Sequence, residues 1–226
     1  GADATIDGGG GNDIVSYNFG GNTPVNFTAS GTGTQSDGLG GTDTLLNIEE
    51  IHIFGGNAGD TLVGDARRNF IMGNEGNDTL TGGSGSDTFS FDMARANGVD
   101  RITDFSTSDD LSIQNLVLTS VSGGSNTSTL ARGAVLVGTP TGGITTVSIG
   151  IDTVAGADLT IKLQGNYAAS DFSFSNSSFG GNIFYVPGNV INGTAGNDNL
   201  NGTMGADTID GLAGDDFING NAGADS

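Results

Sequence analysis

Carboxylates recur along this chain at a fixed phase, and the phase decides what chemistry they can do. Across residues 55–90, four consecutive nine-residue units (GGNAGDTLV, GDARRNFIM, GNEGNDTLT, GGSGSDTFS) place Gly first, Asp or Asn sixth (Asp60, Asn69, Asp78, Asp87) and an apolar side chain eighth (Leu62, Ile71, Leu80, Phe89). The pattern returns at 193–201, 202–210, 211–219 and in a truncated unit at 220–226, giving Asp198, Asp207, Asp216 and Asp225. Weaker copies at 8–16 and 38–46 supply Asp13 and Asp43. If each unit is half of a coil, residues eighteen apart lie over one another: Asp60 over Asp78, Asn69 over Asp87, Asp198 over Asp216, Asp207 over Asp225. Carboxylate and backbone carbonyl oxygens then converge between adjacent turns. An all-oxygen cage of irregular shape suits Ca²⁺, whereas Mg²⁺ demands a tighter octahedron. Gly-Asn-Asp and Gly-Ala-Asp also mark ordinary surface turns, but that reading does not account for eight copies in one phase.

The elements that must position these residues follow from the same units. Glycine-rich positions make a turn, the Asp closes it, and the last three residues form a short strand. One inward apolar residue per unit cannot bury a core alone, so the units must stack on their neighbours. The expected fold is all-β: parallel β-roll blocks separated by a β-rich capping module.

The units resemble the repeats-in-toxin (RTX) nonapeptide, Gly-Gly-x-Gly-x-Asp-x-(apolar)-x, a family associated with calcium and a parallel β-helix. The resemblance implies several Ca²⁺ ions along both turn edges, with Asp13, Asp43, Asp60, Asp78, Asp87, Asp198, Asp207, Asp216 and Asp225 donating side chains. Turn residues completing the cages are Gly55, Asn57, Gly73, Glu75, Gly76, Gly82, Ser84, Gly85, Gly193, Ala195, Gly196, Gly202, Gly205, Gly211 and Gly214. The unit at 64–72 departs from the motif, with Asn69 in place of Asp and Arg67 and Arg68 before it. A cation beside a cation site is unfavourable, so weak or no binding is expected there. Ala58-Gly59 inverts the usual Gly at position four.

Composition points the same way. Asp and Glu total 26 against six Lys and Arg, a formal charge of −20, and 42 residues are Gly. Stacked carboxylates repel, and glycines lose much backbone entropy on ordering. The repeat blocks are therefore expected to be loose without Ca²⁺ and to fold when it binds, at the roughly 10⁻⁴–10⁻³ M affinity of extracellular modules. Cysteine is absent, so metal ions would serve as the cross-links of a secreted, extracellular protein. No apolar run is long enough to span a membrane, and a chain so acidic, with one Lys, is a poor partner for nucleic acid. No basic, apolar N-terminal leader is present; the resemblance implies type I export through a C-terminal signal. The chain opens inside a degenerate repeat (GADATID) and stops inside another, which predicts that it is part of a longer protein.

Where the rhythm breaks, three domains are expected. Residues 1–110 form an N-terminal roll with an insertion at 17–37, whose Pro24-Val25-Asn26-Phe27 predicts a strand looping out from the roll. Asp43 and Asp60 are seventeen apart, and Asn47 to Ile53 fill the missing half-turn, with Ile48, Ile51 and Ile53 inward and Glu49 or Glu50 either replacing the Asp or facing solvent. Residues 98–105 and 109–113 resemble the segment that closes the roll in RTX proteins such as the serralysin proteases. Residues 111–187 are a Thr/Ser-rich module of short antiparallel strands capping the roll, and 188–226 form a second roll. One short helix is expected at 92–96.

No enzyme is expected. The single His52 lies between Ile51 and Ile53 on a strand, there is no HExxH helix, GxSxG elbow or Cys nucleophile, and the paired acids Glu49-Glu50 and Asp109-Asp110 are accounted for by an acidic, cation-binding chain. The expected function is a calcium-dependent structural or adhesive module of a bacterial cell-surface protein (S-layer, fibril or adhesin). The alternative is the noncatalytic repeat region of a type I secreted enzyme or toxin. Expected partners are calcium and either further copies of the chain, in a filament or lattice, or cell-surface polysaccharide.

Overall fold

A computed structural model describes residues 4–30, 33–36, 41–95, 98–152, 158–203, 205–223 and 225–226. Among these the chain is nearly all strand: β1 (Ala4–Asp7), β2 (Ile14–Asn18), β3 (Asn26–Thr28), β4 (Gly33–Ser36), β5 (Thr42–Leu46), β6 (Glu50–Phe54), β7 (Thr61–Val63), β8 (Arg68–Met72), β9 (Thr79–Thr81), β10 (Thr88–Asp92), β11 (Val99–Ile102) and β12 (Asp110–Gln114). Then follow β13 (Ser120–Gly123), β14 (Ala134–Val137), β15 (Ile144–Ile149), β16 (Leu159–Gln164), β17 (Phe172–Ser177), β18 (Gly180–Tyr185), β19 (Val190–Asn192), β20 (Asn199–Asn201), β21 (Thr208–Asp210) and β22 (Phe217–Asn219).

From β6 to β12 the chain alternates between two sheets, which makes a roll. One sheet runs β17-β18-β12-β10-β8-β6-β2 and the other β13-β14-β15-β16-β11-β9-β7-β3. Neighbouring coils pair in parallel, Thr61 with Thr79 and Leu62 with Leu80, at the spacing the repeat predicts. In each three-residue strand only the middle side chain is buried, as one inward apolar residue per unit requires. Ile51, Ile53, Leu62, Ile71, Leu80, Phe89, Ile102, Leu111 and Ile113 are fully buried between the sheets.

After β10 the coil lengthens. Arg101 pairs with Thr79 and Asp110 with Thr88, so four extra residues enter one turn without shifting the stack. These lie around Asp92–Arg95, where a turn stands in place of the expected helix (Arg95 N donates to Asp92 O at 3.1 Å); Ala96 lies outside the described residues.

The strand expected to loop out instead joins the roll. β3 pairs in parallel with β7 because Phe27, 1% exposed, packs against Tyr17 and Phe19 at 4.9 and 5.0 Å between ring centroids. Such aromatic contacts hold more firmly than the polar Gly/Thr/Asn flanks can compete with. The first part of the 38–46 unit, residues 38–40, lies outside the described residues.

Strands from 111–187 extend the roll's own sheets. β18 is antiparallel to β12, β16 is parallel to β11, and β14, β15 and β16 are antiparallel to one another. At 188–226, β19 pairs with β21 and β20 with β22, all parallel. This roll is thin: Ile191, Leu200 and Ile209 are only half-buried, and Ile218 is 49% exposed.

Candidate metal centre

A ladder of acidic side chains runs down each turn edge. The backbone amide of Asp60 donates to Asp78 Oδ1 at 2.7 Å, that of Asn69 to Asp87 Oδ1 at 2.9 Å, that of Asp198 to Asp216 Oδ1 at 3.0 Å and that of Asp207 to Asp225 Oδ1 at 3.0 Å. All four pairs are those the eighteen-residue spacing predicts. Asp13 N donates to Glu49 Oε2 at 2.9 Å, so Glu49 fills the acidic rung of the half-turn that lacks an Asp. Asp43 lies within β5, opposite Ala4 and Gln35, and among the described residues no ladder hydrogen bond reaches it.

The ladder continues beyond the nonapeptide blocks. Asp78 N donates to Asp100 Oδ1 and Asp87 N to Asp109 Oδ1, both at 2.9 Å and twenty-two residues on, while Asp104 accepts from Gly82 N and Gly83 N. Sequence reasoning left these three Asp out of the site because their spacing breaks the period. The signal available was the triplet Asp-x-(apolar) in Asp100-Arg101-Ile102 and Asp109-Asp110-Leu111, which repeats the closing half of the nonapeptide.

The turns fall into two classes, set by the second residue of each unit. Where that residue has an ordinary backbone, its amide closes on its own Asp: Gly56 N to Asp60, Thr194 N to Asp198 and Thr203 N to Asp207, each 2.6 Å to Oδ2. Where it is left-handed, as at Gly9 (φ 83°), Asn74 (φ 70°) and Gly83 (φ 98°), the amide turns away. In those units Asp13 Oδ2, Asp78 Oδ2 and Asp87 Oδ2 are buried with no hydrogen-bond partner. A buried carboxylate oxygen without a donor is costly. Position-one glycines form the floor beneath these oxygens: a Cβ on Gly73 would collide with Asp78 Oδ2, and one on Gly82 with Asp87 Oδ2.

Electrostatics record the same cost. Burial is the main cause that pushes the Asp78 and Asp87 carboxyls from the usual 3.8 to about 6, and Asp100 to about 8. The charges of Asp60 beside Asp78, and of Asp109 and Asp104 beside Asp87, add to it. Asp207 is buried too, 1% exposed, but there the Asn189 amide, 2.6 Å from Oδ1 and helped by Thr203, outweighs burial and holds the carboxyl below the usual value.

These oxygens fit a hard cation. The set consists of carboxylates and carbonyls only, three oxygens lack any donor, and the turn backbones pack so closely that a Cβ at Gly55 would meet Gly73 O at 2.5 Å and one at Gly76 would meet Ala58 O at 2.6 Å. Among the described residues no three acidic or His side chains cluster to hold a metal, so backbone carbonyls would supply much of the coordination. A family model for the RTX calcium-binding nonapeptide repeat, in four copies, matches residues 5–24, 54–89 and 189–226. These segments carry RTX calcium-binding nonapeptide repeats. Among curated proteins none matches the chain.

RTX repeats bind calcium ions, and they occur in secreted bacterial proteins. When bound, calcium supplies the positive charge that offsets the stacked carboxylates. The RTX repeat is a calcium-binding structural element. His52 Nε2 lies 2.6 Å from Glu50 Oε1 and its ring packs on Phe70, with centroids 5.1 Å apart, as part of the outer face of its sheet. No helix among the described residues is long and apolar enough to cross a membrane.

Proposed function

We propose that the chain is a calcium-dependent structural or adhesive module of a secreted bacterial cell-surface protein, noncatalytic in itself, that completes its fold on meeting calcium outside the cell. One observation supports this reading: acidic ladders line both turn edges, and within them the buried Asp13, Asp78 and Asp87 Oδ2 atoms have no donor, a cost that a bound cation would remove. The side-chain ligands are Asp13, Asp60, Asp78, Asp87, Asp198, Asp207, Asp216 and Asp225, with Glu49, Asp100 and Asp109 continuing the edges. Residues 1–110 act as the first roll, 111–187 as its cap, and 188–226 as a second roll. The boundary at 110 falls at the start of β12, where parallel pairing with β10 meets antiparallel pairing with β18. The Ser/Thr-rich strands added to a metal-stiffened roll support a building or adhesive role.

Circular dichroism during calcium titration, followed by EDTA, tests the calcium reading. Strand signal and melting temperature should rise with calcium and fall on chelation; indifference to EDTA would refute it. Light scattering of the same samples tests self-association, and a strictly monomeric chain at saturating calcium would count against a lattice-forming role.

A further inference from the structure

The turn at 64–72 is satisfied from within. Asn69, fully buried, occupies the sixth position, and its side-chain nitrogen donates to Arg67 O at 2.8 Å, Asp87 Oδ1 at 3.0 Å and Gly82 O at 3.3 Å. Two turn carbonyls and a stacked carboxylate are the kind of oxygens that the other edges leave for a cation. Surroundings made only of acceptors require the amide nitrogen, not its oxygen, to face them.

Arg67 brings the missing positive charge. Its guanidinium grips Asp65 through Nε at 3.0 Å and Nη2 at 2.6 Å, and also donates to Ile48 O and Ser30 O, each at 3.2 Å. Both side chains are largely buried, 17% and 4% exposed. One permanently charged planar group thus ties the 64–72 turn to the preceding coil and to the end of β3. What reads in the sequence as a defective repeat is a filled one.

We propose that Arg67 and Asn69 form a built-in clasp that takes the place of a calcium ion in this coil, so that β6, β8 and β10 stay assembled when calcium is withdrawn while residues 188–226 open. The inference rests on the calcium reading of the remaining edges. Its consequence is a graded response, in which a metal-independent middle survives as the template on which the calcium-dependent coils re-form.

Hydrogen exchange of the whole chain, read by peptide mass spectrometry in calcium and in EDTA, tests it. In EDTA the amides of 68–72 should exchange at least about 100-fold more slowly than those of 199–201 and 217–219. The double variant Arg67→Met/Asn69→Ala should lose that protection in EDTA. A second double variant, Arg67→Gly/Asn69→Asp, should bind one more calcium per chain than the parent in equilibrium dialysis. If 68–72 opens in EDTA together with 199–219, the clasp is overturned while the calcium reading stands. If calcium changes exchange nowhere, the calcium reading falls and the clasp with it. Should a variant fail to fold even in calcium, the parent's exchange pattern alone decides.

Discussion

Replacing Asp78 by Asn should have opposite effects with and without metal. The side chain is 2% exposed, and burial places its carboxyl at about 6. At about pH 7.5 an ionised group displaced that far from 3.8 costs the metal-free fold up to about 3 kcal/mol, at 1.36 kcal/mol per unit. Asparagine keeps an oxygen for the Asp60 amide, now 2.7 Å from Oδ1, and puts an NH₂ where the donorless Oδ2 stands. Losing the charge from that hydrogen bond costs about 1 kcal/mol, leaving Asp78→Asn about 2 kcal/mol more stable than the parent in EDTA. With calcium the sign reverses. At about 10 mM Ca²⁺ and an affinity of roughly 10⁻⁴–10⁻³ M, one site contributes about 1.4–2.7 kcal/mol through linkage, and the neutral side chain forfeits most of it. Urea denaturation of parent and variant, each in EDTA and in calcium, measures both numbers. A variant destabilised by equal amounts in the two conditions would refute the argument, because Asp78 would then be an ordinary hydrogen-bonding residue.

The same shifts set a pH dependence. Raised carboxyls bind protons more tightly in the fold than in the unfolded chain, so metal-free stability should fall as pH rises from about 4 through about 6 at Asp78 and Asp87, and on to about 8 at Asp100; thermal melts in EDTA across that range check it. In saturating calcium the trend from pH 5 to 7 should invert, since protons and metal compete for the same oxygens. Gly73→Ala drives a Cβ into the Asp78 carboxylate and should cost about 1–3 kcal/mol, whereas Gly10→Ala, with nothing within 4 Å, should be near neutral; equal effects would refute the turn geometry. Asp104→Ala strips the acceptor from the Gly82 and Gly83 amides and should cost about 1–2 kcal/mol in calcium by urea denaturation, although it lies outside every nonapeptide.

The roll was legible because its period is written twice, once in the Asp and once in the apolar residue two positions later. Leu62, Ile71, Leu80 and Phe89 face inward as that phase requires. Ile48, Ile51 and Ile53 are buried too, and Glu49 holds the rung where Asp is missing. Asp100, Asp104 and Asp109 stayed out of the candidate set because a ladder is read by spacing, and four residues inserted into one turn change the spacing without changing the stack. The division of turns into two classes was also invisible: it depends on whether residue two adopts a left-handed backbone, which Asn74 and Leu212 do although neither is Gly. The exchange of a cation for Arg67 lay beyond a one-dimensional reading, because its acceptors, Ile48 O and Ser30 O, come from other coils.

β12 sets the order in which the molecule can assemble. From β6 to β12 each coil closes on a partner eighteen or twenty-two residues away, a short and repeated search. By contrast β12 meets β18 through Leu111 and Ile183, and β11 meets β16 through Arg101 and Lys162, across several times that stretch of chain. Loop closure grows dearer only slowly with length, but contacts distant in sequence still form late. The coils should therefore zip first and the antiparallel strands arrive last, so the slow phase of refolding belongs to the Ser/Thr-rich end. Calcium should quicken only the phase that precedes it.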